Sequence, residues 1–279
     1  MTRVALYAAL LGAALLFLIP LYVVGTASLK PLEEIRAGGL FSLPVAPTFA
    51  AWAKAWGSAC VGANCVGLKG YFLNSWLMAL PAVAISVAVG AINGYALTKW
   101  WFRGSEFLFG ALVVGCLIPF QVILIPAART LATLGLFGSL SGLVLIHVAY
   151  GVPVTTLLFR NFYLTVPDPI LQAARLDGAG FFAAFFHVIL PLSLPMLAVA
   201  SILQFTGIWN DFLFGVVFTG PESAPVTVAL NNLAGATLGA KEWNVNMAAA
   251  LIAALPTLVV YFVSGRWFLR GLTAGAIKA

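Results

Sequence analysis

LQAARLDGAG, residues 171–180, is a charged, Ala- and Gly-rich interruption in a chain whose flanking stretches hold almost no charge. The apolar runs on either side of it decide the fold. Of the 279 residues, 62% are hydrophobic and 8% charged, and the mean hydropathy is +1.06. A soluble domain carries about 25% charged residues, so a surface this poor in charge faces lipid. A helix needs roughly 20 apolar residues to cross the hydrocarbon core. Runs of that order fall at about 4–27, 71–97, 107–128, 136–159, 190–218 and 245–268. The expectation is an all-α, multi-pass membrane protein with six transmembrane helices, forming a single transmembrane domain over residues 1–279.

The first run follows Arg3 directly, as a cleaved signal peptide would. A signal-peptide core is about 7–15 residues long, and 4–27 is longer, so it reads as a span. Pro81, Pro119, Pro126, Pro153, Pro195 and Pro256 lie inside the runs. Bilayer helices tolerate proline where neighbours satisfy the freed carbonyls. These prolines either shape the helix packing or bend a helix at a gate.

The formal charge is +6. No cluster of Lys or Arg is present to grip phosphates, which argues against a nucleic-acid partner and leaves lipid as the contacting phase. Six spans put both termini on one side. With the N-terminus inside, the inner segments hold eight Lys and Arg against six outside. That is the sense of the positive-inside rule, so both termini are expected in the cytoplasm. Residues 28–70 and 220–244 then form outer loops, and 160–189 forms an inner loop containing the opening stretch.

Cys116 falls mid-span and reads as a small apolar residue. Cys60 and Cys65 share the first outer loop as CVGANC, in a compartment that permits disulfides. They form either a short bridge or two incidental thiols. Neither they nor the histidines have companions enough for a metal shell, so no metal is expected. His147 and His187 read as packing or interfacial residues. No catalytic constellation is found, and the chain is not expected to be an enzyme.

Pro167-Asp168-Pro169 opens the inner-loop segment. Asp168 suits an N-cap and Pro169 the first helical position. Good helix formers follow to Asp177, and Gly178 is the residue type that favours a stop. Residues 181–190 read as an interfacial elbow that turns into the fifth span near Pro191. A short capped helix is marginal in water unless something packs on it. It is either a docking element or a plain connector.

Ala173-Ala174-x-x-Asp177-Gly178-Ala179, closed by Pro191 and Pro195, resembles the E-A-A-x-x-D-G-A loop of ATP-binding cassette (ABC) importer permeases. Gln172 stands where that family usually has Glu, keeping size and hydrogen bonding but losing a charge. GIWNDFLFGVVFT (207–219) and RWFLRGLTAGAIKA (266–279) resemble the fifth span and tail of carbohydrate-importer permeases of the maltose-permease type. CVGANC, NGYAL (93–97) and WFRGSE (101–106) look like permeases paired with glucose- or mannose-type binding proteins.

The resemblance implies a type I ABC importer permease fold in a bacterial inner membrane, with a cytoplasmic coupling helix. It also implies a second permease subunit completing a heterodimer, an ATPase dimer and an extracytoplasmic sugar-binding protein. Gln172, Ala173, Ala174, Asp177, Gly178 and Ala179 would contact the ATPase, with Phe181 and Phe182 as apolar anchors. The tail at 273–279 would reach it too. The residues themselves contain no G-x-x-x-x-G-K-S/T phosphate loop. ATP and Mg are therefore expected on a partner chain, and this chain is expected to bind no cofactor.

A sugar path needs hydroxyl partners and aromatic faces. The candidates within the spans are Asn74, Asn93, Gln121, Gln204, Trp209, Asn210 and Asp211, since polar groups at that depth normally face the interior. Helix–helix hydrogen bonds are their other use. The alternative function is an ion-coupled secondary transporter of a small polar solute. It would need intramembrane ionisable groups to bind the coupling ion, and Asp211 is the only carboxylate within a span.

Overall fold

The computed structural model describes residues 3–39, 41–100, 102–235 and 241–274, with 265–274 described by their backbone. Residues 275–279 of the predicted tail, and Trp101 of the 101–106 stretch, lie outside the described residues. The fold is 76% helical, without strands among the described residues. Helix α1 (Arg3–Ser28), α4 (Lys69–Lys99), α7 (Leu140–Tyr163) and the Trp243–Ser264 part of α14 (Trp243–Ala274) are each long and apolar enough to cross a membrane alone.

Two further apolar helix pairs are sharply bent, each forming either a broken span or a re-entrant loop. Helices α5 (Ser105–Leu117) and α6 (Phe120–Thr133) meet at 104°, within the run expected as one span at 107–128. Ile118 there is extended (ψ 120°) ahead of Pro119. Proline pushes its predecessor out of the α region and cannot donate the next helical bond. The run expected at 190–218 departs more. Helix α9 (Phe181–Ala184), a π-helical turn (Phe185–Ile189) and α10 (Leu190–Leu192) lead into α11 (Leu194–Trp209) through a 79° bend. Prolines 191 and 195 remove two backbone donors around that bend, and π turns accompany such interruptions. The chain breaks again after Trp209 before the short α12 (Leu213–Phe218).

The chain divides into two compact units, residues 1–73 with 226–255, and residues 74–225 with 256–279. In the first, α2 (Leu32–Arg36), α3 (Ala50–Gly57) and α13 (Val226–Ala234) accompany the end of α1 and the start of α14. Lys30 is buried there because its ammonium has partners: it donates to the Gly39 carbonyl (3.0 Å) and to Ser42 Oγ (2.9 Å). Asn244 donates to the Lys30 carbonyl, and Lys54 pairs with Glu242 at 2.6 Å. Cys60 and Cys65 are joined as a disulfide.

In the second unit the α4–α7 contact carries the packing. Gly90 and Gly94 of α4 present bare backbone to α7. A Cβ on Gly90 would come within 2.2 Å of Thr155 Oγ1, and one on Gly94 within 2.8 Å of the Arg160 nitrogen and of Phe159 Cβ. Gly151 of α7 returns the arrangement, with Ser86 Oγ 2.5 Å from where its Cβ would lie. Thr155 donates to the Ser86 carbonyl at 2.8 Å. Without a hydrophobic drive inside lipid, small residues that let backbones approach are how such helices associate. Below this seam a cluster gathers Val87, Tyr95, Phe159, Tyr163, Phe185 and Ile189.

Candidate functional site

The opening stretch is a helix, α8 (Asp168–Leu176), with Pro169 in its first turn. Its end is a Schellman closure: Ala179 N–H donates to the Ala174 carbonyl (2.9 Å) and Gly178 N–H to the Arg175 carbonyl (3.0 Å). That closure needs a left-handed residue, and Gly178 supplies it at φ +85°. Leu171 (4% exposed) points into the cluster with Tyr95 and Phe159. Gln172, Ala173, Arg175, Asp177 and Gly178 are exposed, Ala174 and Ala179 are half-buried, and Leu176 is 89% exposed. One face is thus anchored and the other displayed.

The expected N-cap is not made. Pro167 holds the cap position and no side chain caps the helix. Asp168 is drawn instead to Lys99, the last residue of α4, whose ammonium meets Asp168 Oδ1 at 2.5 Å and the Val166 carbonyl at 2.7 Å. A carboxylate that accepts a bond from an ammonium is stabilised in its charged form. The Lys99 hydrogen bond and charge hold the Asp168 carboxyl below the usual carboxylate range. At the far end of α8, Arg175 Nη2 donates to the Lys99 carbonyl at 2.7 Å, and its guanidinium lies 4.5 Å from the Trp100 ring centroid.

The two aromatic candidates differ in position. Phe181 is half-buried against Tyr95 (4.8 Å between centroids) and Trp100 (5.4 Å). Phe182 is 62% exposed beside Phe181 and Phe186. Phe182 is therefore the outward one of the pair.

The polar candidates within the spans differ in their surroundings. Asn74 gives its amide to the carbonyls of Glu222 (2.8 Å) and Ala224 (3.0 Å). Asn93 reaches Thr156 Oγ1 at 3.5 Å across the α4–α7 seam. Gln121 is exposed on α6, and Asn210 is exposed at the end of α11. Gln204 is buried, its Oε1 2.8 Å from where a Gly151 Cβ would lie. Trp209 is fully buried, stacked on Phe205 (5.5 Å) and edge-on to Trp76 (5.1 Å).

Asp211 lies in the break after α11, where its carboxylate accepts the Gly215 N–H at 3.1 Å and so closes the first turn of α12. His147, buried on α7, brings Nε2 to 3.8 Å from Asp211 Oδ2 and its ring against Phe214. His187 is exposed, with Nδ1 3.0 Å from the Ala183 carbonyl. No group of three or more His, Cys, Asp or Glu able to hold a metal ion occurs among the described residues.

Sequence reasoning missed Lys99, Trp100 and Tyr95, which mount α8. It also missed the Gly90/Gly94 pair, although a GxxxG spacing in an apolar run was there to be read.

Helices long and apolar enough to cross a membrane, together with a short helix whose outer face is exposed, define a polytopic, membrane-type all-α protein. Residues 86–273, well over half of the chain, match the family described as "binding-protein-dependent transport system inner membrane component", and the chain belongs to that family. Its members are permeases of ABC importers, which work with an ATPase and a substrate-binding protein, and they are transport components rather than enzymes.

Among the relatives, a probable ABC transporter permease protein of Pyrococcus horikoshii is 48% identical over 63% of this chain. The match spans 64% of that relative, just under two thirds of its length. The xylose/arabinose import permease protein XacI of Haloferax volcanii is 33% identical over 98% of this chain and 93% of its own. The crystal structure of a bacterial ABC transporter involved in import of the acidic polysaccharide alginate has a similar fold. It aligns with a TM-score of 0.82 and 22% identity over 95% of both chains.

Proposed function

We propose that this chain is one permease half of an ATP-driven sugar importer, and that α8 is the helix by which an ATPase grips it. The exposed face of a helix fastened at both ends carries the reading. In this reading α8 and both termini are cytoplasmic, a second permease subunit completes the pathway, and a paired ATPase holds ATP and Mg. An extracytoplasmic binding protein delivers the sugar. Nucleotide-driven closure of the ATPases would move α8 as a rigid body and switch access.

Relatives named for xylose/arabinose and alpha-glucoside transport support a carbohydrate substrate. The CVGANC, 93–97 and 101–106 stretches favour a glucose- or mannose-type sugar. The polar side chains available within the spans suit hydroxyls rather than ions. Asp211, the carboxylate an ion-coupled carrier would use, already serves the first turn of α12.

The test is Ala173→Trp in the complete transporter. Membrane insertion should match wild type, the ATPase should no longer co-purify, and ATP-driven uptake should be lost. Uptake that persists and follows a proton or sodium gradient instead of ATP would overturn the reading in favour of a secondary transporter.

A further inference from the structure

We propose that Lys99 is a positioning residue that makes α8, the end of α4 and α7 one mechanical body, so that force applied to α8 is delivered to α4. The proposal rests on the reading of α8 as the ATPase-docking helix and adds the route by which its motion leaves it.

Both ends of α8 are fastened to the same residue. At the N-terminal end the Lys99 ammonium holds Asp168 and the carbonyl of Val166, two residues upstream. At the C-terminal end Arg175 donates to the Lys99 carbonyl. That carbonyl sits in the last turn of α4, where helix carbonyls lack intrahelical partners and the dipole favours a cation. The Trp100 ring beneath the Arg175 guanidinium adds a cation–π contact. A helix tied at one end can pivot about that tie. One tied at both ends, with Leu171 buried between them, moves only with its mount.

The mount is rigid in turn. Gly90 and Gly94 sit against Thr155 and Phe159 with no space for even a methyl group, so α4 does not slide along α7 without repacking. The Lys99 side chain is only 7% exposed whereas Asp168 is largely in solvent. A pair with one exposed member adds little to folding stability. Its loss is therefore expected to cost rigidity and leave the fold intact.

The test measures the coupling between α8 and α4 directly. Spin labels are placed at Ile170→Cys on α8 and Val89→Cys on α4, in a Cys116→Ala background of the whole transporter. Interspin distances are read without nucleotide and after trapping with ATP, Mg and vanadate. With Lys99 present the distance should be the same in both states. In Lys99→Met, with the ATPase still co-purifying, it should shift between them, and Lys99→Arg should restore the constant distance. A distance that shifts with Lys99 present overturns the proposal, as does one that stays constant in Lys99→Met. Loss of the ATPase from Lys99→Met also overturns it, since Lys99 would then merely build the docking surface. If the ATPase fails to co-purify even with Lys99 present, the docking reading itself falls, an outcome distinct from the others.

Discussion

Gly94 leaves 2.8 Å between a notional Cβ and the Arg160 backbone, whereas a Cβ on Gly110 of α5 would meet nothing within 4 Å. Gly94→Leu should therefore destabilise by about 1–3 kcal/mol or more, as overpacking of a filled core does, while Gly110→Ala should be close to neutral. Thermal unfolding of the two purified variants in detergent checks both. Asp168 makes a pH-dependent prediction. Its carboxyl is held low by Lys99, so the contact contributes above the ordinary carboxylate pKa of about 3.9 and is lost as pH falls through the lowered value. The melting difference between wild type and Asp168→Asn should be small at pH 7, as expected for a pair with one exposed member, and should vanish in acid below the carboxylate range.

At this scale the sequence was partly legible. Gly178 and the small residues Ala173 and Ala174 signal their roles locally. The pairing of Lys99 with Asp168 spans 69 residues of chain, and nothing local announces it. The packing of Trp209 against Trp76 likewise joins positions that no local pattern links.

Among the elements, α8 was readable because proline at a helix start and glycine just past its end act within one turn. The bends were not. Apolar runs record depth in lipid but not direction, and proline alone does not decide. Pro81, Pro153 and Pro256 sit inside helices α4, α7 and α14 that continue past them, whereas the chain turns by 104° at Pro119. In the segment 28–70, the bond between Cys60 and Cys65 predicts that a thiol reagent labels Cys116 alone under denaturing, non-reducing conditions. All three cysteines should label after reduction. Equal labelling of Cys60 and Cys65 in both conditions would remove the bridge.

For the molecule as a whole, composition carried most of the information. So little charge over 279 residues leaves no soluble alternative, and the all-α, multi-pass reading follows from it. Where the polar groups inside the spans would meet was hidden, because Asn74 and Asn93 find partners on elements remote in the chain and Gln204 lies against the backbone of Gly151. The central claim is that α8 faces the cytoplasm and carries an ATPase. Its most direct test is Ala173→Cys in a Cys116→Ala background of the assembled transporter, treated with a bifunctional thiol cross-linker in membrane vesicles of known orientation. The account predicts a cross-link from position 173 to the ATPase subunit, and labelling by an impermeant thiol reagent only from the cytoplasmic face when the ATPase is stripped away. Labelling from the opposite face, or an assembled transporter in which position 173 never cross-links to the ATPase, would contradict it.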